Sequence, residues 1–384
     1  MNPKIFLACL VLLIVAGFMA VDPREAGAGE VTATPGYKVL EPIRHGNLTV
    51  FPVVAVKSYP TNKFLTLDEG LHSGEVIVTE AGSLQGLMRR HPQNTIRHDG
   101  AEVNRLVLVN NSKRPLLLLA GEIVTGGKQD RVIGKDRIVP PQSDPVDLSV
   151  FCVEPGRWVA TSEHFGASEA MYGKTVGGPV HGSAPAPMAI MAQPSVRAKA
   201  MADKDQHEVW NEVNKQKAAM TVEVAGVAPQ VQTEMAQTSS YAKVNENAEV
   251  KKQVEAVAKP IEQSYQSLIA QLRDRNAVGV VVAVNGRVIW ADMFASGDLL
   301  AKYWPKLVRS YASEAIVTRA KSIEITEKQA QAFLADMEGR KETIENEPGV
   351  YRHTEVTGDG FKAFALTSLL PKTGFDVHIA KMAD

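Results

Sequence analysis

The chain has 384 residues, with 42 Lys and Arg against 43 Asp and Glu, a formal net charge of −1. Apolar residues make up 45% and charged residues 22%. These are ordinary values for a folded protein, and they exclude a fully disordered, collagen-like or multispanning membrane chain. The near-neutral balance also argues against nucleic acid as a partner, because phosphate backbones demand a basic surplus.

The first residues read as an address. Lys4 precedes an almost purely apolar run from Ile5 to Ala20, and Ala26-Gly27-Ala28 supplies small residues for cleavage. This pattern predicts a secretory signal peptide over 1–28, hence a periplasmic or extracellular protein. The alternative is an uncleaved anchor, which would be the one route to a membrane. Cleavage removes Cys9 and leaves Cys152 alone, so no intrachain disulfide can form. Cys152, between Phe151 and Val153, reads as a packing residue rather than a nucleophile.

The length suits two domains or one with insertions. Residues 29–160 carry short apolar and β-branched runs punctuated by Gly, Pro and Asn, the pattern of a β-sandwich or barrel. Leu48 to Tyr59 reads as a strand, edge or bulged because of Pro52. Thr66 to Glu69 opens a short helix ending near Gly74. Further strands are expected near Val76–Thr79, Glu102–Val109, Leu116–Leu119, Arg131–Ile133, Ile138–Val139 and Val146–Val153. Residues 161–202 are rich in Ala, Gly, Pro and Met without a helix or strand period, so a long loop or insertion is expected there.

Residues 203–384 read as mixed. A helix follows Asp203, with Val209, Trp210 and Val213 on one stripe. Val250, Val254, Val257, Ile261, Tyr265, Leu268 and Leu272 keep the helix period, with a kink or break expected at Pro260. Asn285-Gly286 supplies the positive φ of a two-residue hairpin turn between Val278–Val284 and Arg287–Phe294. Leu299 to Tyr311 lines another helix, and Thr326 to Gln329 is a capping box. Strands close the chain. The fold class is α+β, with a β-sandwich-like N-terminal half followed by a mixed helix/β-hairpin C-terminal half.

Two polar clusters stand out. In Gly121 to Arg131, glycines allow close backbone approach while Lys128, Gln129, Asp130 and Arg131 supply polar groups, a cradle suited to an anion. The spacing fails the P-loop pattern, since five residues separate Gly121 from Gly127 and Gln129 follows the lysine. In Cys152 to Trp158, a Pro-Gly turn presents Glu154, Arg157 and Trp158. Arg157 beside an aromatic neighbour suits a planar anion or a base with a phosphate; the alternative is a core Trp158 with Glu154 and Arg157 paired across the turn. Ser240-x-x-Lys243 and Lys372-Thr373-Gly374 echo serine-hydrolase elements, but the intermediate element is missing. No metal-ligand spacing occurs, and no cofactor is implied. Asp292 on the hairpin's return strand faces either solvent or a cleft.

The runs LLLLAGEIVTGGKQDR and FCVEPGRW, with Gln206 and Val209-Trp210, resemble the ARPP-1 family, the ADP-ribosylglycohydrolase and rhodanese-phosphatase-superfamily-associated protein domain. The similarity runs from about Gly46 to about Ala315. It implies a nucleotide or phosphate context without an established reaction. It maps a polar signature onto Glu122, Lys128, Gln129, Arg131, Glu154, Arg157 and Trp158.

Three functional expectations follow. The first is an exported binding module whose two polar clusters share a pocket for an anionic small molecule or a partner's carboxylate. The second is a hydrolase of a phosphate- or ADP-ribose-containing compound, with Glu122 or Glu154 as general base and Lys128 or Arg157 stabilising the anion. The third is a cell-envelope scaffold binding an envelope protein through an exposed apolar patch.

Overall fold

In the computed structural model, which describes residues 36–81, 104–162, 164–166, 190–272, 276–319, 321 and 323–384, the chain is α+β. The expected signal segment 1–28 and most of the Ala/Pro/Met-rich stretch (167–189) lie outside these residues.

Leu48–Ala55 is buried along its whole length. It runs inside a large antiparallel sheet instead of at an edge. Lys38–Val39 and Ile43–His45 pair with it on one side and Asn276–Val284 on the other. The partner strand shifts register between Ala277 and Gly279, opposite Val53 and Val54. That bulge lies beside Pro52, which has no N–H to give the ladder. The sheet continues through Arg287–Phe294, Asp376–Ala383, Phe361–Ser368 and Tyr351–Gly358 to Arg340–Glu347. Three strands of residues 29–160, Lys38–Val39, Ile43–His45 and Leu48–Ala55, therefore share a sheet with strands of residues 203–384.

Of the other N-terminal strands, Arg137–Val139, Leu116–Leu118 and Leu65–Thr66 form a small sheet, and most of the remainder curl on themselves. Val76–Glu80, Arg105–Asn110, Val146–Cys152, Arg131–Ile133 and Glu122–Gly126 pair in that order. His164–Gly166 bridges the first and last of them. The ring so closed has an apolar interior of Val78, Leu106, Leu108, Val124, Ile133 and Val150. Its outer face, through Ile123, Val132, Phe151 and Val153, packs on helices. Alternation along each strand makes both packings possible at once.

The helices follow their caps. Thr66 and Thr326 form capping boxes for Leu67–Ser73 and Glu327–Ala335. Asn285 and Gly286 have φ of 53° and 73°, as the hairpin turn requires. Ala248–Ala270 runs continuously through Pro260, contrary to the expected break. It packs on Gly297–Val317, with Tyr265 against Trp304 at 4.3 Å between ring centroids. Tertiary packing there overrides the lost hydrogen bond. The expected loop is also shorter than its composition suggested. Pro194 starts the helix Pro194–Ala198 from its first turn, where no N–H is needed. A π-helical turn, Lys199–Asp203, follows, with the Lys204 N–H donating to the Lys199 carbonyl at 3.0 Å.

Candidate functional site

The structure brings together the residues of 128–131 and 154–158, but as a closed clamp. Arg157 donates to Glu154 through Nε at 2.7 Å and Nη2 at 2.5 Å, and to the carbonyls of Gly127 and Val159. Glu154 Oε2 also accepts the Asp130 N–H at 3.0 Å, and Gln129 Nε2 donates to the Glu154 carbonyl. Asp130 accepts from the Gly126 N–H and from the Ser240 hydroxyl at 2.6 Å. Burial, and then Glu154, push the Asp130 carboxyl up. Ser240 caps its helix by accepting the Lys243 N–H, which explains the S-x-x-K spacing as a capping signal.

Arg131 is fully buried and donates through Nη1 to the Gln129 carbonyl. Burial pulls its guanidinium below the usual arginine range. The Lys128 ammonium stands 4.9 Å from the centre of the Trp158 ring, and that ring is 44% exposed. Trp158 is thus a surface residue, against the core-anchor reading. Cys152 is buried and accepts the Glu154 N–H on its sulfur, and burial pushes its thiol up.

Glu122 lies elsewhere. Its Oε2 accepts the Leu119 N–H at 2.7 Å, and Oε1 takes the Lys306 ammonium at 2.5 Å. Lys306 also meets Asp68 at 2.5 Å. Burial alone would pull the Lys306 ammonium down, but Asp68 and Glu122 outweigh it and hold the charge in place. Glu122 is thus tied to Lys306 and the Leu119 N–H, whereas Glu154 is tied to Arg157 and the Asp130 N–H.

The turn joining Leu116–Leu118 to Glu122–Gly126 anchors a buried ionic network. The Ala120 N–H donates to Asp136 at 2.8 Å, and the Ala120 carbonyl accepts from Arg197 Nε at 3.2 Å. Arg197 continues to Asp292 with Nη1 and Nη2. Tyr311 donates to the same carboxylate. His378 stands between Asp292 (3.1 Å) and Asp136 (2.6 Å). Arg197, Asp292, Asp136 and His378 have no solvent exposure. Two cations balance two anions, which is the condition for burying charge at all.

The described residues also enclose a cleft of 280 Å³. Three elements wall it. Gly134, Lys135, Ser149 and Phe151 come from the outer face of the ring, and Ala200, Met201 and Lys204 from the π-helical turn. Ile344, Glu345, His353 and Phe364 come from the last strands of the large sheet. Lys135 precedes the network's Asp136, and Ala200 lies three residues after Arg197, so two of the three walls share backbone segments with the network. His353 is 1% exposed, and neither ring nitrogen has a hydrogen-bond partner among the described residues. Burial pulls its imidazole down to about 4, so it is neutral at physiological pH. Lys135 is paired with Glu345, and Lys204 with Glu355 at 3.0 Å. No local sequence signal marks this site, since its residues span more than two hundred positions and none forms a motif.

Among the described residues no group of three or more His, Cys, Asp or Glu is placed to hold a metal ion. No helix among them is long and apolar enough to cross a membrane. No curated protein and no solved structure matches the chain. A family model does match, and more widely than the Gly46–Ala315 span of the sequence motifs, because it includes the C-terminal strands that wall the cleft. The chain belongs to the ARPP-1 family, the ARG and Rhodanese-Phosphatase-superfamily-associated Protein domain, whose model covers residues 36–381.

Proposed function

We propose that this protein is an exported binding module whose ligand, a small organic molecule, enters the cleft between the ring and the large sheet. The observation that carries the reading is His353, a buried imidazole with two unpartnered nitrogens in the wall of a cleft. A buried polar group without a partner costs about 1–3 kcal/mol, and a ligand that hydrogen-bonds to it recovers that cost. The π-helical turn in the opposite wall supports the same reading, since such turns concentrate at functional sites. Small-molecule sites are mostly apolar with a few placed polar groups, and Phe151, Met201 and Phe364 against His353 fit that description.

Both carboxylates considered for catalysis are committed to cations, Glu122 to Lys306 and Glu154 to Arg157. That favours binding over hydrolysis. The reading of export rests on the Lys4, Ile5–Ala20 and Ala26-Gly27-Ala28 pattern.

Ligand-observed NMR with a mixed set of charged and neutral fragments tests the cleft. Fragments that bind the wild type and lose binding in Ser149→Trp, at the exposed rim, support it. An absence of hits, or hits indifferent to Ser149→Trp, overturns it. A reporter active only outside the cytoplasm, fused after residue 28, tests export.

A further inference from the structure

We infer that the ligand of this cleft is a small, flat aromatic molecule carrying one neutral hydrogen-bonding group, rather than an anion. The inference rests on the binding reading above and narrows its chemistry.

Charge argues first. An anion would need an unpaired cation, yet Lys135 is held by Glu345 and Lys204 by Glu355. Glu345 is further fixed by the Tyr351 hydroxyl at 2.6 Å. Arg137, the next cation along, also lies within ion-pair reach of Glu345 at 3.9 Å and of Glu347 at 3.6 Å. An incoming carboxylate would have to displace one of these glutamates and face its repulsion.

Shape and surface argue second. Phe364 and Phe151 put aromatic rings in the wall, and Met201 adds a polarizable thioether that packs well against rings. His353 lies near-parallel to Phe364, with centroids 6.0 Å apart and planes inclined by 22°. A wall that already holds two near-parallel rings suits a third flat ring stacked on them. The volume of 280 Å³ sits near the small end of ligand sites, about 300–1,000 Å³.

Hydrogen bonding argues third. A neutral imidazole offers one N–H donor and one acceptor nitrogen. A phenolic hydroxyl can serve either, and an indole N–H can serve the acceptor. An aliphatic chain satisfies neither.

Titrations followed by ligand-observed NMR decide this, with phenol, indole, toluene, cyclohexanol and benzoate as probes on the wild type, Ser149→Trp and His353→Phe. Phenol and indole should bind most tightly, and Ser149→Trp should abolish that binding. Phenol should exceed toluene by up to about tenfold, the worth of one hydrogen bond, and His353→Phe should erase the difference. Cyclohexanol or benzoate binding as well as phenol, and still lost in Ser149→Trp, would overturn the aromatic inference and leave the cleft reading intact. Binding of every probe unchanged in Ser149→Trp, or of none, would overturn the cleft reading itself. Ser149 is exposed, so its variant remains informative if His353→Phe does not fold.

Discussion

Arg197 and Asp292 meet face to face with no solvent access to either side chain, through paired contacts of 2.8 and 2.9 Å. The guanidinium also lies 4.4 Å from the centre of the Trp290 ring. Replacing one partner leaves the other charge buried and alone. Arg197→Met should therefore cost about 3–5 kcal/mol of unfolding free energy. Adding Asp292→Leu should restore part of that loss, because His378 and Asp136 then balance each other. Urea denaturation of the single and double variants measures both effects, and a double variant worse than the sum of the singles contradicts the assignment.

His378 makes the same network respond to pH. Burial alone would pull its imidazole down, but Asp136 and Asp292 on its two nitrogens outweigh burial and push it up to about 9. The folded value lies above the unfolded value of about 6.5. The resulting stabilisation is fully present below about pH 6.5 and is lost as pH rises through 9. His353 behaves oppositely. Its value falls to about 4 in the folded state, so the unfolded state binds more protons between pH 6.5 and 4 and stability declines as pH falls across that window. Unfolding free energies measured from pH 4 to 10 should show both losses. His378→Asn should flatten the alkaline one and His353→Phe the acid one.

What the sequence made legible was local. The short helix opened by Thr66, the Thr326 capping box, the Asn285-Gly286 turn and the apolar stripe from Val250 to Tyr265 each depend on neighbours within a few residues, and each appears as expected. The pairing of Leu48–Ala55 with Asn276–Val284 depends on partners more than two hundred residues apart, and no periodicity reveals it. Arg340–Glu347 is a strand despite its sequence RKETIENE, because an edge position tolerates charge on both faces. In the two polar clusters charge and glycine are dense within a short window. That density serves the Arg157 clamp and the Lys306 and Arg197 anchors. Asp136, Arg197, His353 and His378 are single residues in unrelated segments, so only the fold assembles them.

Gly121 shows why the turn before Glu122 needs its glycine. Its φ is +96°, and a Cβ there would lie 2.5 Å from Arg197 Cγ. Gly156 has a similar φ of +95° but open space around it. Gly156→Ala should cost about 1 kcal/mol from backbone strain alone. Gly121→Ala should cost at least about 2 kcal/mol, because Arg197 must also move from Asp292. Chemical denaturation of both variants separates strain from collision, and equal losses would remove the close-approach explanation.

Glu122 and Glu154 provide the sharpest check on the division of the polar residues into two clusters. If they faced one hollow, neutralising either would change the electrostatics felt by the other. In the structure Glu122 answers to Lys306, which also meets Asp68, and Glu154 answers to Arg157, which also meets Asp130. Stability losses from Glu122→Gln and Glu154→Gln should thus add in the double variant to within about 0.5 kcal/mol. By contrast, Glu154→Ala and Arg157→Ala, which contact directly, should couple by about 1 kcal/mol or more. Because Arg157 keeps partial solvent exposure, that coupling should remain below the value for a fully buried pair such as Arg197 and Asp292. A coupling between Glu122 and Glu154 as large as that between Glu154 and Arg157 would place both carboxylates in one network and return them to a common site.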